Sequence, residues 1–131
     1  MAHSMAIHSA ILKSFLVLVL FGATAGQHGD VPQPQKVTLT ATDYAFNPSS
    51  IHAVAGRPLE ITIVNHSNDT HGLRFALSYG EVPFPTNVPP GQTASATFDD
   101  LGKPGSYRFY CPVDEHDGHG MHGTIVIAEE K

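Results

Sequence analysis

Between Tyr110 and Gly123 the sequence reads Tyr110-Cys111-Pro112-Val113-Asp114-Glu115-His116-Asp117-Gly118-His119-Gly120-Met121-His122-Gly123. A thiol, three imidazoles and a thioether fall within twelve positions of that stretch. A thiolate and a thioether select soft or borderline metals, and imidazole suits copper and zinc. Calcium and magnesium prefer oxygen ligands and are disfavoured here, even with Asp114, Glu115 and Asp117 close by. Structural zinc sites use four Cys and His ligands, commonly with C-x-x-C spacing, whereas this stretch offers one Cys and a Met. The ligand set therefore favours copper over zinc.

Cys111 is the one cysteine of the 131-residue chain, so no internal disulfide can form. In an oxidising compartment a lone thiol is buried and inert, paired with another chain, or occupied by a metal. A copper site with one thiolate, two imidazoles and a weak axial thioether needs a second His from elsewhere. His71 is the best placed, in Asn65-His66-Ser67-Asn68-Asp69-Thr70-His71-Gly72-Leu73-Arg74-Phe75. Each residue also has a plainer reading. Cys111 and Met121 could be core residues, His71 a strand-edge histidine, and one of His116 and His119 a solvated loop residue. The spacing from Cys111 and Met121 favours His116, with His119 the fallback. His28, His52, His66 and His122 read as surface residues.

The elements that must position these groups are strands. Val37 to Ala41 and Leu59 to Val64 alternate apolar and polar residues, the period of a half-buried strand. Ser50 to Val54, Gly72 to Leu77, Thr93 to Phe98, Ser106 to Cys111 and Thr124 to Ala128 are further strand segments, separated by stretches rich in Pro, Gly, Asn and Asp. No segment has a convincing helical period. Ser78 to Gln92, with Pro83, Pro85, Pro89 and Pro90, is the least strand-like part and reads as an excursion over one end of the fold. The fold expected is all-β, a Greek-key sandwich or barrel of about 7–8 strands. The Cys111–Met121 stretch then becomes a loop held by a strand at each end.

With its Asn-containing strand end before His71, and with Cys, His and Met following in that order on a terminal loop, the chain resembles the cupredoxin (blue copper) family, which includes plastocyanin, azurin, pseudoazurin and amicyanin. The resemblance covers about Val37 to Ala128. It implies a single type 1 copper held by His71, Cys111, His116 and Met121, with Met121 axial. Two features depart from the pattern. The loop is long, with four residues between Cys111 and His116 and four more between His116 and Met121. Position 72 is Gly, where plastocyanin-like members carry an Asn; its backbone N–H can still reach the Cys111 sulfur.

Lys13, the apolar run Phe15 to Phe21 and the small residues Ala23 and Ala25 have the layout of a signal peptide. Residues 1–25 are therefore read as a cleaved leader, 26–36 as a flexible segment and 37–131 as the copper-binding domain. The apolar run is shorter than the roughly 20 residues that span a bilayer, which disfavours an uncleaved anchor and stable membrane insertion. Without the leader, six basic residues stand against twelve acidic ones, a formal −6. That balance lacks the basic patch a phosphate backbone requires and disfavours nucleic acid as a partner.

The resemblance implies one-electron transfer between redox partners and no bond chemistry, so no enzyme is expected; the leader pattern implies export to the periplasm or beyond the cell, and a monomer is expected. Asp114, Glu115 and Asp117 around His116 suit a partner with a basic docking patch. A periplasmic copper carrier or storage protein using the same ligands is the alternative.

Overall fold

The computed structural model describes residues 29–131, and the leader assigned to residues 1–25 lies outside them. The described chain has nine strands in two sheets: β1 (Gln35–Thr42), β2 (Ala45–Asn47), β3 (Ser50–Val54), β4 (Leu59–Asn65), β5 (Arg74–Leu77), β6 (Gly80–Pro83), β7 (Thr93–Phe98), β8 (Gly105–Tyr110) and β9 (His122–Ala128). One sheet has the order β2-β1-β4-β7 and the other β3-β9-β8-β5-β6. The all-β expectation holds, with nine strands in place of seven or eight.

The two additional strands are β2 and β6. β2 has three residues, too few for alternation to show. β6 lies inside the stretch read as an excursion, and it pairs with β5 from Arg74↔Pro83 to Leu77↔Gly80. It is an edge strand with Pro83 at its end, a position where the missing N–H costs no ladder bond.

Where alternation is strong, the sequence sets the inward face. In β4 Leu59, Ile61, Ile63 and Asn65 are buried and the residues between them are half-buried. β1 and β4 run parallel, with Leu39 beside Ile63, and β3 and β9 run parallel, with Ile51 beside Ile125. Each parallel pair joins strands distant in sequence, since parallel neighbours need a long crossover connection and cannot be joined by a tight hairpin.

Aromatic contacts tie the sheets together. Phe75 of β5 meets Phe98 of β7 edge-on at 5.1 Å, and Phe46 of β2 meets Phe109 of β8 at 5.6 Å, both favourable ring geometries. This core leaves the β4–β5 and β8–β9 connections to carry the chemistry. Cys111 and Met121 belong to the buried core cluster, so the floor of the site is continuous with it.

Candidate metal centre

The first loop leaves β4 through Asn65, which is 1% exposed. Its amide Nδ2 donates to the carbonyls of Asp69 (2.8 Å) and Val88 (2.9 Å), while Oδ1 accepts from the Ser67 N–H (2.9 Å) and hydroxyl (2.7 Å). A buried amide with both ends satisfied fixes the path of the chain around it. His71 is then held by reciprocal backbone bonds with Val88, N–H to carbonyl at 3.1 and 2.7 Å. The sequence places His71 at the start of a strand. It lies instead in an isolated bridge, three residues ahead of β5.

The second loop closes on itself. Cys111 N–H donates to the Met121 carbonyl (3.0 Å), Met121 N–H to the His116 carbonyl (3.1 Å) and His116 N–H to the Val113 carbonyl (3.1 Å). Asp117–His119 forms one 3₁₀ turn, ended by Gly120 at φ 101°, a left-handed conformation that suits glycine. Arg108 of β8 pairs with the Asp117 carboxylate, which also accepts from His122 Nδ1 at 3.1 Å. The Arg108 guanidinium holds the Asp117 carboxyl below the usual carboxylate range. Asp117 is therefore a neutralised brace, and the acidic surface expected from it is carried by other residues.

These two loops bring His71, Cys111 and His116 together. His71 Nδ1 and His116 Nδ1 are 3.2 Å apart, and the Cys111 sulfur lies 4.0 Å from the first and 3.6 Å from the second. Bonds of about 2.0 Å to imidazole nitrogen and about 2.3 Å to thiolate sulfur, arranged in a plane, set the nitrogens about 3.5 Å apart and each about 3.7 Å from sulfur. The donor triangle therefore fits one transition-metal ion. His71 and Cys111 are fully buried and His116 is 7% exposed.

Met121 is also fully buried, and its backbone is bonded to both Cys111 and His116. His119 does not join the donor cluster. It is exposed and its ring stacks on Tyr44, with centroids 5.0 Å apart at 25°. His52, His66 and His122 are exposed as well. His28 lies outside the described residues.

The environment disfavours charge on the ligands unless a cation is present. Burial pushes the Cys111 thiol up, opposed by the backbone N–H groups of Gly72 and Val113. The Gly72 N–H donates to the sulfur at 3.4 Å, as its position in the sequence allows. Burial, and then His116, push the His71 imidazole down, outweighing the pull of Asp43. A neutral His71 has a lone pair free for metal, and a thiol raised by desolvation loses its proton when a metal binds.

Four residues at the site were not singled out in the sequence. Asp43 Oδ1 lies 3.1 Å and Ser67 Oγ 2.7 Å from His71 Nε2. The Tyr44 ring packs against His116, with centroids 4.7 Å apart, and its hydroxyl donates to Asp69 Oδ2 at 3.3 Å. Above His116 lies an open depression of about 580 Å³ lined by Tyr44, Asp69, Asp114, Glu115, His116 and His119. Asp69 thus takes the place expected for Asp117 among the acidic groups near His116.

Residues 13–127 match the family model described as the cupredoxin-like domain. The chain belongs to the cupredoxin family. A buried imidazole–thiol–imidazole cluster in a cupredoxin is a site for one copper ion. No curated protein matches the sequence.

Among solved structures, this cupredoxin is similar to the dithionite-reduced auracyanin of Roseiflexus castenholzii. The two are 16% identical with a TM-score of 0.66, over 73% of this chain and 99% of that one. It is also similar to auracyanin A, a "blue" copper protein of Chloroflexus aurantiacus, at 19% identity and a TM-score of 0.61 over 72% and 99% of the chains. A copper-containing nitrite reductase from Thermus scotoductus is 24% identical with a TM-score of 0.62, over 76% of this chain but 28% of the reductase. At these identities the likeness is one of fold.

Proposed function

We propose that this cupredoxin is an exported one-electron carrier whose copper would be held by His71 Nδ1, Cys111 Sγ and His116 Nδ1, with Met121 supplying a weak fourth ligand. The observation that carries this reading is the convergence of the three donors, from two loops, into one buried triangle. When bound, copper supplies a one-electron couple.

The chain's part is to hold the donors still and keep water out. Asn65, the His71–Val88 bridge and the closed Cys111–Met121 loop fix the backbone on both sides, so the ligands have little freedom to rearrange. Substrate chemistry at a metal requires an open coordination position. Two fully buried ligands and a third at 7% exposure leave little room for one, which favours a carrier over an enzyme.

His116 lies nearest the surface of the three donors, at the floor of the depression, and is the proposed port for electrons. Asp69, Asp114 and Glu115 around it suit a redox partner presenting a basic patch. Export rests on the leader pattern of residues 1–25, with cleavage near Ala25. Among the described residues no helix is long and apolar enough to cross a membrane. Amino-terminal sequencing of the protein recovered from the periplasm or the medium tests this, with Gly26 as the expected first residue.

A copper carrier using the same ligands is the second reading, favoured by His119 exposed on the Cys111–Met121 loop and His122 exposed at the start of β9. Reversible reduction and oxidation, with copper retained against a competing chelator through many cycles, is the outcome expected of an electron carrier. Rapid loss of Cu(I) to the chelator is the outcome expected of a copper donor.

A further inference from the structure

The turn between β1 and β2 contributes no ligand to the copper site, yet its two central side chains reach both imidazoles. Asp43 contacts His71 and Tyr44 packs on His116. The His71 contact is the more specific. Nε2 of this fully buried ring faces two oxygens, Ser67 Oγ at 2.7 Å and Asp43 Oδ1 at 3.1 Å.

The donor and acceptor roles can be assigned. A carboxylate only accepts hydrogen bonds, so its partner Nε2 must carry the hydrogen. Ser67 has one hydroxyl hydrogen, and it goes to the carbonyl oxygens it faces, Asn65 Oδ1 at 2.7 Å and the more distant Asp69 carbonyl at 3.1 Å, neither of which can donate. The Ser67 oxygen is left to accept from the same Nε2–H. His71 Nδ1 therefore presents its lone pair to the cluster of Cys111 and His116.

We propose that Asp43 is a positioning residue that fixes the metal-binding tautomer of His71 and, by holding negative charge behind the imidazole, lowers the reduction potential of the copper. This rests on His71 being a copper ligand. A carboxylate behind a ligating imidazole raises its basicity, which stabilises the more highly charged oxidised ion more than the reduced one. The Asp43 side chain is only one-third exposed, so solvent screens this charge less than it screens a free surface carboxylate. Asp69 is a built-in comparison. Its carboxylate lines the same end of the fold but bonds the Tyr44 hydroxyl and no ligand imidazole.

The test measures the midpoint potential of the copper-loaded wild type, Asp43→Asn and Asp69→Asn. In parallel, long-range proton–nitrogen NMR of the wild-type apoprotein locates the His71 ring hydrogen. The expected result is hydrogen on Nε2 in the wild type. Asp43→Asn is expected to retain the thiolate-to-copper absorption and to shift the potential upward by more than Asp69→Asn does. Equal shifts in the two variants, no shift in Asp43→Asn, or hydrogen on Nδ1 in the apoprotein each overturn the proposal. If Asp43→Asn does not take up copper, Asp43→Glu decides. Copper uptake with a potential shifted from the wild type by no more than that of Asp69→Asn supports the role, and any other result rejects it. Failure of the wild type to form the absorption band would instead overturn the copper-ligand reading itself.

Discussion

The Gly72 N–H donates to the Cys111 sulfur at 3.4 Å, joining the two ligand loops at the metal-binding atom itself. Residue 72 has no side chain, and the space that one would take is already filled. A Cβ there would lie 2.5 Å from Asn87 Oδ1 and 3.3 Å from the Pro112 ring. Asn87 can swing away, but Pro112 follows Cys111 directly and transmits the strain to the sulfur. Gly72→Ala is expected to shift the energy of the thiolate-to-copper band and to cost about 1–2 kcal/mol of stability. Absorption spectra and urea unfolding read both, and an unchanged band with unchanged stability contradicts the account.

Gly123 tests the core beneath the site. A Cβ at this position would come within 2.3 Å of both Phe109 Cζ and the Ser49 carbonyl oxygen, and the latter is backbone that cannot move cheaply. Gly123→Ala is expected to destabilise the apoprotein by about 1–3 kcal/mol. Gly118→Ala, with nothing within 4 Å of its new methyl, should change stability by no more than about 0.5 kcal/mol. Denaturant midpoints of the two variants check the contrast.

The loop histidines should separate cleanly. His119→Gln is expected to leave the copper band and its intensity intact, because His119 stacks on Tyr44 and stays out of the donor cluster. His116→Gln is expected to abolish or replace the band. Met121→Leu, close to volume-conserving in a fully buried position, should cost less than about 1.5 kcal/mol. It should keep the band and raise the reduction potential, as loss of a weak axial donor favours the reduced ion.

Association with a basic redox partner should slow as salt is added, since the Debye length falls from about 10 Å at 0.1 M to about 3 Å at 1 M. Neutralising Asp69, Asp114 and Glu115 together is expected to flatten that dependence. Asp117→Asn should flatten it less, because the Asp117 charge is already met by Arg108. Stopped-flow rates against ionic strength distinguish these cases.

The donor cluster was legible because metal chemistry leaves few substitutes for a Cys and a His at the spacing of Cys111 and His116, and because strands flank the loop that carries them. The strongly alternating segments were legible for the same kind of reason. Leu59 to Val64 bury every second residue, and little else satisfies that pattern. β6 was hidden because its residues are largely exposed and it runs into Pro83 and Pro85. Asp43, Tyr44, Ser67 and Asp69 were hidden for a different reason. They act through contacts between segments about 25 to 75 residues apart or within a tight polar turn, and neither leaves a period in the sequence. Asp117 looked like a free surface charge because its partner Arg108 lies nine residues away on the preceding strand.

The most direct test adds copper to the purified protein and records its visible absorption beside that of Cys111→Ser. Intense thiolate-to-copper absorption in the wild type, lost in Cys111→Ser while the fold persists, is the predicted result. Absence of the band from both proteins, or its persistence in Cys111→Ser, would contradict the assignment of Cys111 as the anchor of a blue copper centre.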